Sequence, residues 1–353
     1  MNTYKFEKAS HTFFNELRKR VDDYFVTNNI SLKGGNKLIF KSVIIISCIP
    51  ILYVTLIAFT PNAITSIALC MLLGLNFAAV GFNVMHEGGH QAFSKYKVVN
   101  EIAAYFLNIL GGSIHYWKQK HNVNHHTFTN IEGIDNDIDV KPFMRLHDGQ
   151  PRYWFHKYQH IYWAALYPLT YLSWIFYEDF EKYFTGKINK ESEKRALPFY
   201  EHLIFWCTKT IYVGLFIVIP IMAVGWLSWL IGFATITLTT GLAISVVFQL
   251  AHVVEATDFH SHSIASTKEW AIHQISTTAN FATRSKLLFW LLGGLNFQIE
   301  HHLFPRISHI HYPKISQIVK ETCEEYNIAY HEYSTMLKAV GSHVLHLKKL
   351  GTS

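Results

Sequence analysis

Seven histidines fall in three short clusters. The first is His86-Glu87-Gly88-Gly89-His90, the second His121-Asn122-Val123-Asn124-His125-His126, and the third Gln298-Ile299-Glu300-His301-His302. On a helix, residues four apart share a face. His86 and His90 can therefore grip one ion, and His121 and His125 can do the same. His126 points about 100° away from His125. An adjacent pair thus serves two metals, or one metal and a neighbouring helix, and the same holds for His301 and His302. Seven imidazoles exceed the four ligands of a tetrahedral zinc site. They suit two metals with positions left open for a small ligand. Imidazole accepts iron, copper, zinc and nickel alike, so residue type leaves the metal open. Gly88 and Gly89 each cost a helix about 1 kcal/mol. They serve either close packing, as between membrane helices, or the approach of another ligand-bearing helix.

Two other chemistries share parts of this pattern. His86-Glu87-x-x-His90 matches the HExxH signature of a zinc metalloprotease, with Glu87 as general base. That reaction needs one further ligand and leaves at least four clustered histidines unused. A bis-histidine haem or metal carrier needs paired histidines inside apolar spans, and the apolar windows contain none.

The charges show which elements position the clusters. Only 16% of the chain is Asp, Glu, Lys or Arg, against about 25% in a soluble domain. No charged residue occurs in the 44 positions from Ser42 to Met85, or in the 42 from Thr210 to Ala251. A crossing needs about 20 apolar residues, so each window predicts a membrane hairpin. The expected spans are about 42–60, 63–84, 210–228 and 231–250. Thr60-Pro61-Asn62 is the first expected turn. Gly225 to Trp229 is the second, with Trp226 and Trp229 at an interface. Two further stretches, 102–114 and 158–177, suit helices lying on the membrane. The latter holds His160, Pro168, two Trp and five Tyr, a composition fit for the headgroup region. The three clusters can meet only if an even number of crossings separates them, so 158–177 must not cross.

All 31 Lys and Arg lie outside the spans, which places them on one side, the cytoplasmic one by the positive-inside rule. The net charge of +6 then reads as attraction to anionic lipid heads, and no basic aromatic motif points to nucleic acid. Residues 1–41 form a polar segment with eight basic residues and no signal-peptide core. Residues 8–27 predict an amphipathic helix at the membrane surface. Helices are expected near 314–326 and 334–349, started by Pro313 and Ser334. Four cysteines without a CxxC fit a reduced compartment. The histidines outside the clusters and His252 have no assigned role, and some of them suit the membrane surface.

The boxes HEGGH, HNVNHH and QIEHH resemble those of the membrane fatty acid desaturases, over about residues 40 to 330. The run QIEHHLFPRISHIHYPKI, with Gln298 where other members have His, is similar to the front-end (delta-5/delta-6) and sphingolipid branch. The HPGG motif of a fused cytochrome b5 is absent, and 41 N-terminal residues are too few for that domain, so the chain looks like the stand-alone bacterial, linoleoyl-CoA (delta-6)-like form. The resemblance implies an all-α integral membrane protein. Four transmembrane helices form two hairpins, and a cytosolic helical domain holds a dimetal site. Its parts would be the segment 1–41, a desaturase domain 42–330 and a helical tail 331–353.

By the same resemblance, His86, His90, His121, His125, His126, His301 and His302 ligate two non-haem irons. His252 is a further ligand, and Gln298 occupies a ligand-equivalent position where it holds a water. Glu87 and Glu300 orient neighbouring ligands. Asp135, Asn136 and Asp137 read as a turn, the alternative being reception of a ligand N–H. His273 and Asn280 precede the third box without an assigned role. The implied reaction uses O2 to place a cis double bond in a fatty acyl chain, on an acyl lipid or acyl-CoA. Electrons come from a ferredoxin or a separate cytochrome b5, and an acidic carrier would suit the basic face. A hydroxylase on the same scaffold shares every box. The implied location is the bacterial inner membrane, with both termini and the metal site cytosolic.

Overall fold

The computed structural model describes residue 6 and residues 12–138, 140–189, 192–260 and 269–353. Among them the only strands are the two-residue Asn280–Phe281 and Glu332–Tyr333, paired in parallel. Among the described residues, four helices are long and apolar enough to cross a membrane: Gly35–Ala58, Ala63–Gly89, Phe199–Val224 and Trp226–His252. They form two hairpins, so the chain is an all-α integral membrane protein.

The helices extend beyond the charge-free windows. The first begins at Gly35 and takes in Lys37 and Lys41; the third begins at Phe199 and takes in Glu201 and Lys209. Lack of charge marks the hydrocarbon, whereas a helix continues into the headgroups and beyond. In the first turn, the Asn62 side chain accepts from the Thr65 amide (3.1 Å) and starts the second helix. The second turn is shorter than the expected 225–229. Gly225 alone makes the reversal, at φ 82°, and Trp226 and Trp229 already lie in the following helix. Glycine reaches that backbone region without steric cost.

Glycines let the fourth membrane helix meet the second and the 158–177 stretch closely. A Cβ on Gly74 would stand 2.6 Å from the Ile236 carbonyl oxygen, and one on Gly241 2.1 Å from that of Pro168. Neither backbone atom can swing aside. Gly241→Ala is therefore expected to cost about 1–3 kcal/mol, seen as a lower thermal midpoint in detergent. Gly232→Ala, whose Cβ would sit 3.4 Å from Cys70 Sγ, should leave the midpoint unchanged.

The 158–177 stretch is helical but broken. It passes from Gln159–Leu166 through a 3-10 turn at Tyr167–Leu169, around Pro168, to Thr170–Ser173 and a π-turn at Trp174–Glu178. The expected 102–114 helix instead spans Lys97–Ile109, and Gly111, at φ 90°, turns the chain into Ile114–Trp117.

The N-terminal helix departs from expectation. Residues 8–11 lie outside the described residues, and the helix spans Thr12–Thr27. Its stripe of Phe13, Leu17, Val21 and Phe25 is buried against Phe304, Ile315, Val319 and Cys323. The amphipathic pattern is real, but protein rather than lipid covers its apolar face. The last two helices are Tyr312–Glu325 and Met336–Thr352. Thr335 caps the latter by accepting from the Lys338 amide (3.2 Å), in place of the expected Ser334. A threonine hydroxyl is among the groups favoured there.

Candidate metal centre

Each cluster sits where a helix ends or changes pitch. His86 and His90 close the Ala63–Gly89 helix just after a π-turn at Gly81–Met85. His121 and His125 lie in a second π-turn, Lys118–His125. His252 is the last residue of the fourth membrane helix, and His301 and His302 sit on Gln298–Leu303.

The structure brings these histidines into two groups. In one, His86, His90, His121 and His301 each offer a nitrogen within 4.8 Å of the others; His125, His252 and His302 do so in the second. His126 lies between them, its ring 4.6 Å from that of His301 and 4.4 Å from that of His302. The adjacent pair His301–His302 is thus split between the groups. His121 and His125 also fall in different groups, although their own nitrogens lie within 4.8 Å of each other. The π-turn causes this, since its bonds close over five residues: the His126 amide donates to the His121 carbonyl (3.0 Å). That brings His126 Nε2 to 3.2 Å from His121 Nε2. His121, His125 and Asp137 also come within 4.8 Å, but Asp137 is engaged there by Lys120 at 2.6 Å.

The ring nitrogens show what the site is built for. The Nδ1 of His125 meets Asp135 Oδ2 (3.0 Å), and that of His302 meets Gln274 Oε1 (2.9 Å). His252 Nδ1 meets the Thr277 carbonyl (3.3 Å), and His301 Nδ1 the Tyr312 hydroxyl (3.2 Å). The Nε2 atoms of His90, His125, His252, His301 and His302 are buried without a hydrogen-bond partner. Such orphaned atoms are costly unless something else satisfies them. Fixing one ring nitrogen and freeing the other is how proteins present imidazole to a metal. The His86–His121 pair of Nε2 atoms also stands at 3.2 Å. Two imidazole nitrogens about 2.1 Å from one ion, meeting it at a right angle, would lie about 3 Å apart. The donor set therefore fits two metal ions.

Electrostatics agree. Burial holds the His121, His126, His301 and His302 imidazoles well below their ordinary pKa, helped by neighbouring histidines. They stay neutral and keep a lone pair for a metal. Burial opposes charge on His125 too, but Asp135 and then Asp137 outweigh it and raise its pKa.

The acidic residues of the boxes have partners of their own. Glu87 Oε1 accepts from the His309 amide and meets His309 Nδ1, both at 2.9 Å. Glu300 meets Asn280 Nδ2 and the Tyr330 hydroxyl, both at 2.8 Å, and burial pushes its carboxyl up to about 7. Each is a helical neighbour of a ligand and so points about 100° away from it. Asn280 also accepts from the Ile299 amide (2.9 Å), which pins the third box. Gln298 is buried but donates its amide to the Leu295 carbonyl (2.8 Å), which suits a structural role better than ligation. The expected turn at 135–137 is present as the 3-10 segment Asn136–Ile138. Asp135 at its start holds His125 as well, so the turn and the N–H acceptor are one feature. His273 meets the Thr129 carbonyl (2.8 Å). The twin glycines also divide their work. A Cβ on Gly88 would stand 2.6 Å from backbone atoms of Asn100 and Ala104, and one on Gly89 2.3 Å from the Trp117 ring. Gly88 serves packing. Gly89 admits Trp117, which stacks on His121 at 4.5 Å.

Two membrane hairpins with a buried polyhistidine centre at their ends define a membrane metalloenzyme class. The sequence model of the Fatty acid desaturase family matches residues 62–334. An sn-1 linoleoyl-lipid 6-desaturase of Arthrospira platensis is 36% identical over 96% of this chain and 92% of its own length. One of Synechocystis is 33% identical over 95% and 94%, and an acyl-lipid (8-3)-desaturase of Physcomitrium patens is 35% identical over 98% and 75%. The chain belongs to the fatty acid desaturase family, whose members are oxidoreductases that use iron to place double bonds in fatty acyl chains.

Proposed function

We propose that the eight histidines His86, His90, His121, His125, His126, His252, His301 and His302 hold two irons, and that the enzyme places a cis double bond in the acyl chain of a membrane lipid, using O2. The observation that carries this is the pair of histidine groups with orphaned Nε2 atoms and anchored Nδ1 atoms. An unactivated CH2 lies beyond acid–base side chains, and the bound irons supply the oxidising power. The histidines fix the irons, while Asp135, Gln274, Tyr312 and the Thr277 carbonyl fix the histidines. Trp117 and Phe248 wall the site, Phe248 lying 5.0 Å from His125, and exclude bulk water. Two hydrogens leave the substrate, and O2 becomes two waters with two external electrons and two protons. We assign the electrons to a ferredoxin or a cytochrome b5, and both termini and the site to the cytosolic side of the cell's inner membrane. The named relatives act on linoleoyl-lipid and acyl-lipid chains, which favours a lipid substrate and attack near carbon 6. The test is expression in a host without polyunsaturated acids, followed by gas chromatography–mass spectrometry of its fatty acids. A new cis double bond near carbon 6 is expected; a hydroxy acid in its place would overturn the reading.

A further inference from the structure

Between the first membrane helix and the short helix Lys286–Leu291 lies a pocket of about 240 Å³. Lys37, Lys41, Phe40, Ile44, Phe289 and Trp290 line it, with His309 at its floor. Lys37 and Lys41 are one helical turn apart, in the first two turns of the span, which is headgroup depth. Lys41 is 8% exposed. Its ammonium lies 3.2 Å from His309 Nε2 and 5.2 Å from the Trp290 ring centre. Among the described residues no carboxylate touches either lysine. A buried ammonium with one imidazole partner has donors to spare, and burial of a charge demands a counter-charge.

The rim says where that counter-charge comes from. Phe40 is 70% exposed, Ile44 43% and Trp290 40%. These apolar side chains continue the lipid-facing surface of the first span, and an indole at this depth is an interface anchor. A pocket with cations inside and an apolar, membrane-facing rim fits an amphiphile whose head is anionic. We propose that it binds the phosphate of a membrane glycerophospholipid, paired to Lys37 and Lys41, with the acyl chains along the apolar rim. The contacts continue inward from Lys41 to His309 and from His309 Nδ1 to Glu87 at 2.9 Å, and Glu87 adjoins His86 of the first box. Three side chains, Lys41, His309 and Glu87, therefore separate the lipid head from His86. That this lipid is the acyl donor rests on the reaction proposed above; that it binds does not.

The full-length protein, purified in detergent, is offered phosphatidylglycerol, diacylglycerol of the same chains, or inorganic phosphate, and bound species are read by native mass spectrometry. The wild type is expected to retain one phosphatidylglycerol and neither of the others. Lys37→Glu, at an exposed position, is expected to lower retention about fivefold or more, from roughly 1 kcal/mol per basic residue at a lipid surface. Lys41→Met should lower it further, with the iron content of both variants at the wild-type level. Equal retention in Lys37→Glu, equal retention of diacylglycerol, or phosphate bound without lipid would each overturn the site. Retention lost as expected, in a protein that forms no new double bond in the host, would sink the reaction reading and leave the lipid site standing.

Discussion

Replacing His126 by alanine is expected to remove most of both metal ions and take desaturation below detection. His126 is the ring between the two groups, 4.6 Å from His301 in one and 4.4 Å from His302 in the other. Its Nε2 faces His121 Nε2 at 3.2 Å, and its Nδ1 is buried without a partner. Losing a group that merely orients a ligand already costs 10–100-fold in affinity or activity, and losing a ligand beside both ions costs more. His252→Ala is the contrast. His252 belongs only to the group with His125 and His302, so this variant should retain about one iron of the two. Metal analysis of the purified variants, beside fatty acid profiles of the host, reads both. Full iron in His126→Ala, or one zinc and no iron in active wild type, would sink the two-iron assignment.

The histidines that gather at the centre were legible in the sequence because three dense clusters of them stand out. Their partition was not. A π-turn looks like a helix to any rule based on every fourth residue, and it set His126 against His121 while His125 joined the group with His252. Charge-free windows located the two hairpins but not the ends of their helices, because Lys37, Lys41 and Lys209 lie in helices that outrun the hydrocarbon. The groups that hold these histidines carried no local signal. Gln274 and Tyr312 are 28 and 11 residues from the histidines they meet, and neither residue type is unusual. The surplus histidines belong partly to the interior rather than to the membrane surface. His156, His273, His309 and His343 are each at most 1% exposed. His156 meets the Pro142 carbonyl at 2.8 Å and His343 that of Val253 at 2.6 Å. An imidazole bonds a carbonyl with one nitrogen and packs with the rest, which composition alone does not reveal.

Asp135→Asn carries the second large effect, and its shape is nearly unchanged, so what it loses is chemical. Asp135 Oδ2 accepts from His125 Nδ1 and from the Asn130 amide, both at 3.0 Å, and Oδ1 accepts from the Asp137 amide at 3.1 Å. All three neighbours donate, and an asparagine has one acceptor oxygen. If its NH2 takes the Oδ2 position, it faces two N–H groups. His125 then shifts its proton to Nε2 and can no longer ligate. If the NH2 takes the Oδ1 position, the Asp137 amide is orphaned and His125 loses the charge that strengthens it as a donor. Asn130, held by the same carboxylate, also donates to the His252 carbonyl (2.9 Å), so two ligands of one group are disturbed together. Iron retention under a chelator and desaturation are both expected to fall about 10–100-fold, with the other group keeping its ion. Asp137→Asn should do less, because Asp137 stands 3.8 Å from His125 and its main partner is Lys120. A twofold effect or none in Asp135→Asn would mean that the backbone of the π-turn alone orients His125, and the carboxylate would lose its role.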